Sequence, residues 1–337
     1  MNNNEILMQI KELSVTYETR LGPVSAVDRI SFDIFKGEIL GLVGESGCGK
    51  STMGKALMRM IQPPGYISHG QLVFEGEDIM TYDEKQMRDF RGRKVSMIFQ
   101  DPMTSLNPVQ RVDQHIVEAI QTHEPKTKVE KALERAKILL QKLGIMENRM
   151  TSYPHQLSGG MRQRVMVGLG LVLNANLIVA DEATTSLDVI VEAKLADQLK
   201  EIRDEFGVSL LVITHNIALV AELADRVAVM YAGHIAELGS VEAIFDNPMH
   251  PYTIGLLHSV PTIKLKEREE LYKMAGEPPN LTHPPSGCRF HPRCPEAMPI
   301  CTTHEPDFQM AEPGRFVKCW LYQDHPEKES QSTEVSK

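Results

Sequence analysis

The chain has 337 residues, which fits one large domain with an appendage or two modest domains. Hydrophobic residues make up 42% and charged residues 24%, as is usual for a globular protein, and the net charge of −9 disfavours nucleic acid as a partner. The first residues contain no basic segment followed by an apolar stretch, so no signal peptide is predicted. The longest apolar window, residues 165–180, is interrupted by Asn174 and Asn176 and is too short to span a membrane. These features predict an intracellular protein. If it acts at a membrane, it is expected to dock there on another protein.

Short apolar segments along the chain predict strands separated by helices. Residues 8–15 roughly alternate between apolar and polar side chains, as a half-buried strand does. Continuous apolar runs, typical of buried parallel strands, occupy residues 38–43, 95–99, 177–180 and 208–213. One helical face is predicted from the spacing of Leu133, Ala136, Leu140 and Leu143. The alternation indicates an α/β domain with a largely parallel sheet, and residues 227–238 predict a hairpin around Ala232-Gly233 that closes it.

A glycine-rich loop follows the run at residues 38–43. Residues 44–51 (GESGCGKS) match the phosphate-binding loop pattern, and a helical pattern follows them, as the motif requires. Glycines allow backbone N–H groups to turn toward phosphate oxygens at the positive end of a helix. Lys50 is expected to reach the β- and γ-phosphates of a nucleotide, and Ser51 to bind Mg²⁺. Cys48 is interpreted as a small filler of the loop.

Two acidic residues, Asp181 and Glu182, follow the apolar run at residues 177–180. An acid at the end of such a strand can hold Mg²⁺, and the next can orient or deprotonate an attacking water. Taken alone, the pair fits an ordinary solvated turn equally well.

Residues 157–164 (LSGGMRQR) closely resemble the signature sequence of ABC transporter ATPases. The resemblance extends to Gln100 as the Q-loop glutamine, Asp188 as the D-loop aspartate and His215 as the switch histidine. Tyr17 matches the aromatic residue that stacks on adenine. Each of these residues alone would be interpreted as structural, but their joint order and spacing favour the family.

The resemblance implies that two cassettes enclose two ATP molecules, each between one subunit's phosphate loop and the other's signature sequence. It implies Glu182 as the general base, with His215 and Lys50 as further catalytic residues. Residues implied to bind ATP within the chain are Tyr17, Gly44, Ser46, Gly47, Gly49, Lys50, Ser51, Thr52 and Gln100. Residues implied to bind the partner's ATP are Ser158, Gly159, Gly160, Gln163 and Asp188, and Mg²⁺ is implied to bind Ser51, Gln100 and Asp181. Ala183 departs from the proline usual in the family, which removes no catalytic group.

The family also implies a fold and a division into domains. The expected fold is an α/β phosphate-loop ABC ATPase core with a mainly parallel sheet, an antiparallel β subdomain and a helical subdomain, plus a small irregular C-terminal domain. The nucleotide-binding domain is predicted at residues 1–249 and the extension at 250–326, because prolines become frequent near residue 250. Residues 327–337 are rich in Glu, Ser and Lys and are predicted to be disordered.

Residues 250–253 (HPYT) of the extension resemble the extension of oligopeptide and dipeptide importer ATPases. Residues 100–108 (QDPMTSLNP) are also typical of that subfamily. That subfamily implies a second homologous ATPase, two membrane-spanning permease subunits and an extracytoplasmic substrate-binding protein. The chain would then lie at the cytoplasmic face of the cell membrane. Relatives of the subfamily import di- and oligopeptides, nickel and sometimes oligosaccharides. Peptides are the predicted cargo, although this chain would not itself contact the cargo.

The sequence disfavours two other classes of protein. DNA-repair and chromosome-organising relatives insert long coiled coils between the phosphate loop and the signature, and no sustained heptads occur here. A regulatory module without transport would predict a missing Glu182 or His215, and both are present. The sequence therefore favours the transport ATPase.

Four cysteines, Cys288, Cys294, Cys301 and Cys319, lie within the last 50 residues with the spacing Cys-x5-Cys-x6-Cys-x17-Cys. Four thiolates suit either Zn²⁺ or an iron–sulfur cluster, and free or disulfide-bonded cysteines are the third possibility. The dipeptide-type members of the subfamily carry a similar set that holds a [4Fe–4S] cluster. The resemblance therefore implies such a cluster, with Zn²⁺ as the alternative, acting as a structural clip.

Overall fold

The computed structural model describes residues 5–99, 106–182, 189–259, 274 and 276–324, and for residues 189–195 it describes the backbone alone. Gln100, Asp188 and the predicted disordered tail lie outside the described residues. The chain forms two compact units. Unit 1 comprises residues 1–8, 33–39 and 73–214, and unit 2 comprises residues 9–32, 40–72 and 215–337.

Strands and helices alternate through both units. Within the described residues the strands are β1 (Ile6–Thr19), β2 (Gly22–Phe35), β3 (Ile39–Val43), β4 (Gly65–Phe74), β5 (Glu77–Asp78), β6 (Val95–Ile98), β7 (Leu177–Asp181), β8 (Ser209–Ile213), β9 (Arg226–Tyr231), β10 (His234–Ser240), β11 (Gln309–Glu312) and β12 (Arg315–Val317). The helices there are α1 (Lys50–Leu57), α2 (Glu84–Arg93), α3 (Val112–His123), α4 (Val129–Lys142), α5 (Glu147–Met150), α6 (Gly159–Leu171), α7 (Val189–Phe206), α8 (Ile217–Leu223), α9 (Val241–Asp246), α10 (Pro251–His258) and α11 (Pro299–Thr303).

Unit 1 contains three neighbouring parallel strands. Strand β7 pairs with β6 on one side and with β8 on the other, in register through Val95–Leu177 and Leu177–Ser209. All residues of these strands are buried, which explains their mostly apolar sequences. The predicted parallel strands are therefore confirmed here.

Helix α4 of unit 1 confirms part of the predicted face. Of the four predicted residues, Ala136 and Leu140 are buried, whereas Leu133 is 38% exposed and Leu143 follows the end of the helix. Ala132 and Leu139 complete the buried set. The helix itself was predicted correctly, and its buried face is rotated slightly from the predicted one.

Unit 2 contains a mixed sheet that ends near the C-terminus. Strand β3 lies parallel to β9, and β9 forms an antiparallel hairpin with β10. The hairpin turns at Ala232 and Gly233, whose φ angles are 47° and 84°. Such positive angles suit a two-residue turn, and the predicted hairpin is confirmed. Strands β12 and β11 continue the pairing from β10, so residues 309–317 belong to this sheet.

None of the helices within the described residues is both long enough and apolar enough to cross a membrane.

Candidate ATP site

The phosphate loop of unit 2 joins β3 to α1. Gly44 and Gly49 have φ angles of 153° and 110°, which residues other than glycine rarely adopt. A Cβ atom at Gly44 would lie 2.1 Å from the carbonyl oxygen of Met230, and one at Gly49 would lie 2.1 Å from that of Ala26. The loop therefore curls so closely against its neighbours that both positions require glycine.

Lys50 begins helix α1 and turns its side chain back across the loop. Its Nζ donates hydrogen bonds to the carbonyl oxygens of Gly44, at 2.8 Å, and Glu45, at 3.0 Å. The residue is 4% exposed. Ser51 and Thr52 follow on the first turn of the helix and are half-buried. Lys50 is thus enclosed by the loop, with its ammonium group at the loop's own carbonyl groups.

Cys48 lies inside the same loop and is 5% exposed. Burial raises the pKa of its thiol. A neutral, buried thiol is a poor nucleophile, in agreement with its interpretation as a filler.

Glu45, the second residue of the loop, is held by residues that sequence analysis did not select. Its backbone N–H donates to the hydroxyl oxygen of Tyr252 at 2.9 Å. Its carboxylate accepts two hydrogen bonds from Arg293, at 2.8 and 3.0 Å. The Glu45 hydrogen bonds raise the pKa of the Arg293 guanidinium further above its already high value. No local sequence pattern could have indicated this pair, because its members are 248 residues apart.

Tyr17 and His215 also belong to unit 2. Tyr17 is half-buried on β1, and its ring packs against Gly65, where an added Cβ would lie 2.4 Å from Cε1. His215 is exposed and directly precedes Asn216, which caps helix α8 by accepting a hydrogen bond from Leu219 N–H.

The two acids of unit 1 lie at the end of β7. Asp181 is the last residue of the strand, opposite Ile213 of β8, and is 5% exposed. Glu182 has a φ angle of 47°, which is uncommon for a residue with a side chain. Its backbone N–H donates to the carbonyl of Ile213 at 2.8 Å, which fixes this turn of the chain. The backbone at the end of β7 is thus fixed at two successive acidic residues, Asp181 and Glu182.

The signature sequence forms the start of helix α6. Ser158 caps the helix by accepting a hydrogen bond from Met161 N–H at 3.3 Å. Arg162 donates to the carbonyl of Leu157 at 2.6 Å, which ties the loop before the helix to its first turn. Nothing lies within 4 Å of a Cβ built at Gly159 or Gly160. The first turn of the helix therefore has open space beside Gly159 and Gly160, while Gln163 is buried.

The four C-terminal cysteines lie together in unit 2 and are free. The backbone N–H of Cys288 donates to the carbonyl of Cys301 at 2.8 Å. Burial, with a smaller contribution from the other three cysteines, raises the pKa of Cys319 to about 12. Burial likewise raises the pKa of Cys294 to about 11, with contributions from Cys288 and Cys301. These mutual effects require that the four thiols be near one another.

No group of three or more His, Cys, Asp or Glu side chains is arranged to hold a metal ion within the part of the chain that the structure describes. The donor set of four neighbouring thiols fits a thiolate site in its chemistry, but the side chains are not assembled as ligands. The predicted cluster and its zinc alternative therefore stay predictions.

Comparisons with known proteins agree with these features. A family described as "ABC transporter" matches residues 27–185, and one described as "Oligopeptide/dipeptide transporter, C-terminal region" matches residues 236–301. An oligopeptide transport ATP-binding protein of Bacillus subtilis is 45% identical, covering 95% of this chain and 90% of that protein. A dipeptide transport ATP-binding protein of Haemophilus influenzae is 46% identical over 93% of this chain and 94% of its own length.

Solved structures resemble the fold. The ATP-binding cassette MJ0796, in a dimeric post-hydrolysis state with ADP and phosphate, matches with a TM-score of 0.62 and 24% identity, over 69% of this chain and 98% of that one. The cbiO1 protein of Clostridium perfringens matches with a TM-score of 0.62 and 26% identity, over 72% of this chain and 92% of its own. The predicted α/β phosphate-loop ATPase fold is confirmed.

The chain belongs to the ABC transporter family, among the ATP-binding proteins of its oligopeptide/dipeptide branch. It is therefore an ATPase coupled to transport, as the signature sequence and phosphate loop predicted.

Proposed function

We propose that this chain hydrolyses ATP to power an importer of di- or oligopeptides. The main support is the phosphate loop, in which Lys50 is enclosed by glycine-dependent backbone, on a chain whose relatives are named for peptide transport. The match of residues 236–301 to the oligopeptide/dipeptide transporter C-terminal region further supports peptides over nickel or oligosaccharides.

In this proposal the loop and α1 bind the nucleotide. The amide groups of Gly44, Ser46, Gly47 and Gly49 surround the phosphates, and Lys50 contacts the β- and γ-phosphates. Ser51, Asp181 and Gln100 hold Mg²⁺, Thr52 adds a hydroxyl, and Tyr17 stacks on adenine. The enclosure of Lys50 by the loop supports its role, because it holds the ammonium group beside the loop that would receive the phosphates. Asp181 lies at the carboxyl end of a parallel strand, where such sheets bind their ligands.

Hydrolysis then depends on Glu182 and His215. Glu182 takes the proton of the attacking water, while His215 contacts the γ-phosphate and maintains the attack geometry. Two features support the assignment of Glu182: its uncommon backbone angle and the hydrogen bond that fixes it. Such strain is often found at functional positions.

The partner ATPase supplies the other half of each site. Ser158, Gly159, Gly160, Gln163 and Asp188 of this chain would act on the nucleotide of the partner, which is a second, homologous subunit. The open space beside Gly159 and Gly160 supports this role, because exposed amides at a helix N-terminus attract anions. The dimeric MJ0796 structure shows that related cassettes pair.

The remaining proposed partners are two membrane-spanning permease subunits and an extracytoplasmic substrate-binding protein. The chain would lie as a peripheral subunit on the cytoplasmic face of the cell membrane. ATP binding closes the ATPase pair and hydrolysis reopens it, and this cycle drives the permeases between their two access states.

The extension at residues 250–326 is proposed to hold a [4Fe–4S] cluster through Cys288, Cys294, Cys301 and Cys319. Such a group would supply a structural clip for a segment with few apolar residues. Anaerobic purification should give about four iron and four sulfide per chain. Stoichiometric zinc in place of iron would contradict the cluster. A Cys294→Ser chain that kept its iron and sulfide would contradict it as well.

The transport function is tested in cells whose own gene is replaced by a variant. Glu182→Gln should abolish uptake of labelled di- and tripeptides while the protein level stays unchanged, because the general base is removed. Glu222→Gln, at an exposed position on α8, is the matched control and should retain uptake. Normal peptide uptake with Glu182→Gln, or loss of nickel or oligosaccharide uptake in place of peptide uptake, would contradict the proposal.

A further inference from the structure

The segment between the first two C-terminal cysteines contacts the start of the phosphate loop directly and its end through Ala232 and Gly233. Near the start of the loop, Arg293 holds the carboxylate of Glu45 with two hydrogen bonds. Near its end, the carbonyl of Cys48 accepts a hydrogen bond from Gly233 N–H at 2.9 Å. Arg289 donates to the carbonyl of Ala232, the residue before Gly233, at 2.5 Å. All of these residues belong to unit 2.

Aromatic packing fixes this segment in place. Phe290 lies edge-on to Tyr231, with ring centroids 5.1 Å apart, and 5.5 Å from the ring of Tyr252. The Arg293 guanidinium lies 5.7 Å from the centre of the Tyr231 ring, and its Nη1 is 3.3 Å from the Tyr231 hydroxyl. The Arg293 side chain is 6% exposed, so its ion pair with Glu45 is largely shielded from water.

Glu45 in turn provides one of the two backbone carbonyl groups that hold Lys50. The Lys50 ammonium donates to the carbonyl of Glu45, whose backbone N–H is held by the Tyr252 hydroxyl. Arg293 also neutralises a carboxylate within the loop that receives the nucleotide's phosphates. Without Arg293, that carboxylate would repel the triphosphate, and the backbone beside Lys50 would lose one of its anchors.

We propose that Arg293 is a positioning residue for ATP binding, which acts by holding and neutralising Glu45 and thereby couples the C-terminal cysteine segment to the phosphate loop. The proposal rests on the phosphate loop being the ATP site. The coupling is reciprocal, so ATP binding also stabilises the arrangement of residues 288–294.

The test is a double-mutant cycle on the purified full-length chain, with the dissociation constant of MgATP measured by isothermal titration calorimetry. Arg293→Met should weaken binding at least about fivefold, within the usual range for coupled sites. Arg293→Lys should be intermediate, because it keeps the charge but loses the bidentate geometry. Glu45→Gln in the Arg293→Met background should restore part of the affinity, since it removes the uncompensated charge.

That partial rescue separates positioning from a merely structural role, because lost packing of Arg293 would not be repaired at Glu45. Arg29→Met is the matched control. Arg29 forms an ion pair with Glu305 of the extension, and its variant should bind MgATP like the wild type. If Arg293→Met does not fold, the Arg293→Lys and Glu45→Gln variants and their double form the cycle instead, and additive effects in that cycle would overturn the proposal.

Hydrogen exchange gives the reciprocal readout. Saturating MgATP should slow exchange at the amides of residues 288–294 in the wild type, and less so in Arg293→Met. Wild-type affinity in Arg293→Met, no rescue by Glu45→Gln, or exchange unaffected by MgATP would each overturn the inference. A wild-type chain that binds no MgATP would instead overturn the proposed function.

Discussion

Glu237 is a carboxylate with no exposed surface, and both of its oxygens accept hydrogen bonds. Its Oε1 accepts hydrogen bonds from Met249 N–H and from Arg315, whose Nη2 is 2.7 Å away, and its Oε2 accepts from His250 N–H. The Arg315 side chain is 4% exposed and also donates to the carbonyl of Asn247. This buried pair joins β10 to β12 and to the chain before α10, so one side chain organises the start of the extension.

Glu237→Gln should lower the free energy of unfolding by about 3 kcal/mol, because the buried Arg315 charge is left uncompensated. Urea denaturation followed by circular dichroism measures the change. Glu312→Gln is the matched control, since Glu312 contacts the same arginine but is 55% exposed. Glu312→Gln should lower the free energy of unfolding by no more than about 0.5 kcal/mol. Equal losses in both variants would show that burial of the Glu237–Arg315 pair is not what stabilises this region.

At the scale of single elements, helix α10 depends on a neutral histidine. His250 is its N-cap, and its Nδ1 accepts a hydrogen bond from Tyr252 N–H at 3.0 Å. Burial lowers the pKa of His250 to about 4. A protonated Nδ1 could not accept this bond, so the cap and the burial both require the neutral ring.

The stability of the chain should therefore fall as the pH drops from about 6.5 toward 4. In that window the unfolded state binds a proton at residue 250 that the folded state excludes, so the stabilisation is complete above the unfolded pKa and is lost below it. Between pH 7 and pH 5 the loss from His250 is about 2 kcal/mol. His250→Asn keeps a capping side chain but cannot titrate, and should lose about 2 kcal/mol less than the wild type over this interval.

Urea titrations at pH 7 and pH 5 measure this difference. His258→Asn, at an exposed histidine in the same helix, should show the wild-type dependence. A His250→Asn chain that lost as much stability as the wild type would contradict the assignment of this pH dependence to the cap.

The sequence predicted strands and helices correctly where a single physical cause, such as burial of both faces of a strand, determines the local residue pattern. Strands β3, β6, β7 and β8 are mostly apolar because both of their faces are buried. The face of α4 was predicted only in part, with Ala136 and Leu140 buried but Leu133 exposed, because burial there is decided by neighbouring helices and not by spacing alone. The Glu45–Arg293 pair could not be predicted, since it depends on how residues 248 apart in sequence meet in the fold. The glycine-rich loop, in contrast, was predictable because its backbone geometry itself demands glycine at fixed positions.

At the scale of the whole molecule, the proposed mechanism divides the site residues into two functional sets. Lys50 and its loop bind the chain's own nucleotide, whereas the start of α6 acts on the nucleotide of the partner ATPase. A defect in the first set should therefore appear in the isolated chain. A defect in the second should appear only after assembly, because the isolated chain lacks the phosphate that this surface contacts.

Gly160→Asp tests this division. Nothing lies within 4 Å of a Cβ at Gly160, so the variant should fold, and the isolated chain should bind MgATP with unchanged affinity. In the assembled transporter the added carboxylate would face the partner's γ-phosphate at a helix N-terminus, where it repels the anion and blocks its approach. Hydrolysis by the complex should then fall by about 100-fold or more.

Lys50→Met is the comparison variant, and it should abolish MgATP binding already in the isolated chain, because it removes the cation inside the loop. Gly160→Ala should cause a smaller loss of hydrolysis than Gly160→Asp, since it adds volume without charge. Calorimetry of the isolated chains and phosphate release by the complexes measure both properties. Full hydrolysis in Gly160→Asp complexes would contradict a shared site, and weakened binding in the isolated Gly160→Asp chain would place this surface at the chain's own nucleotide.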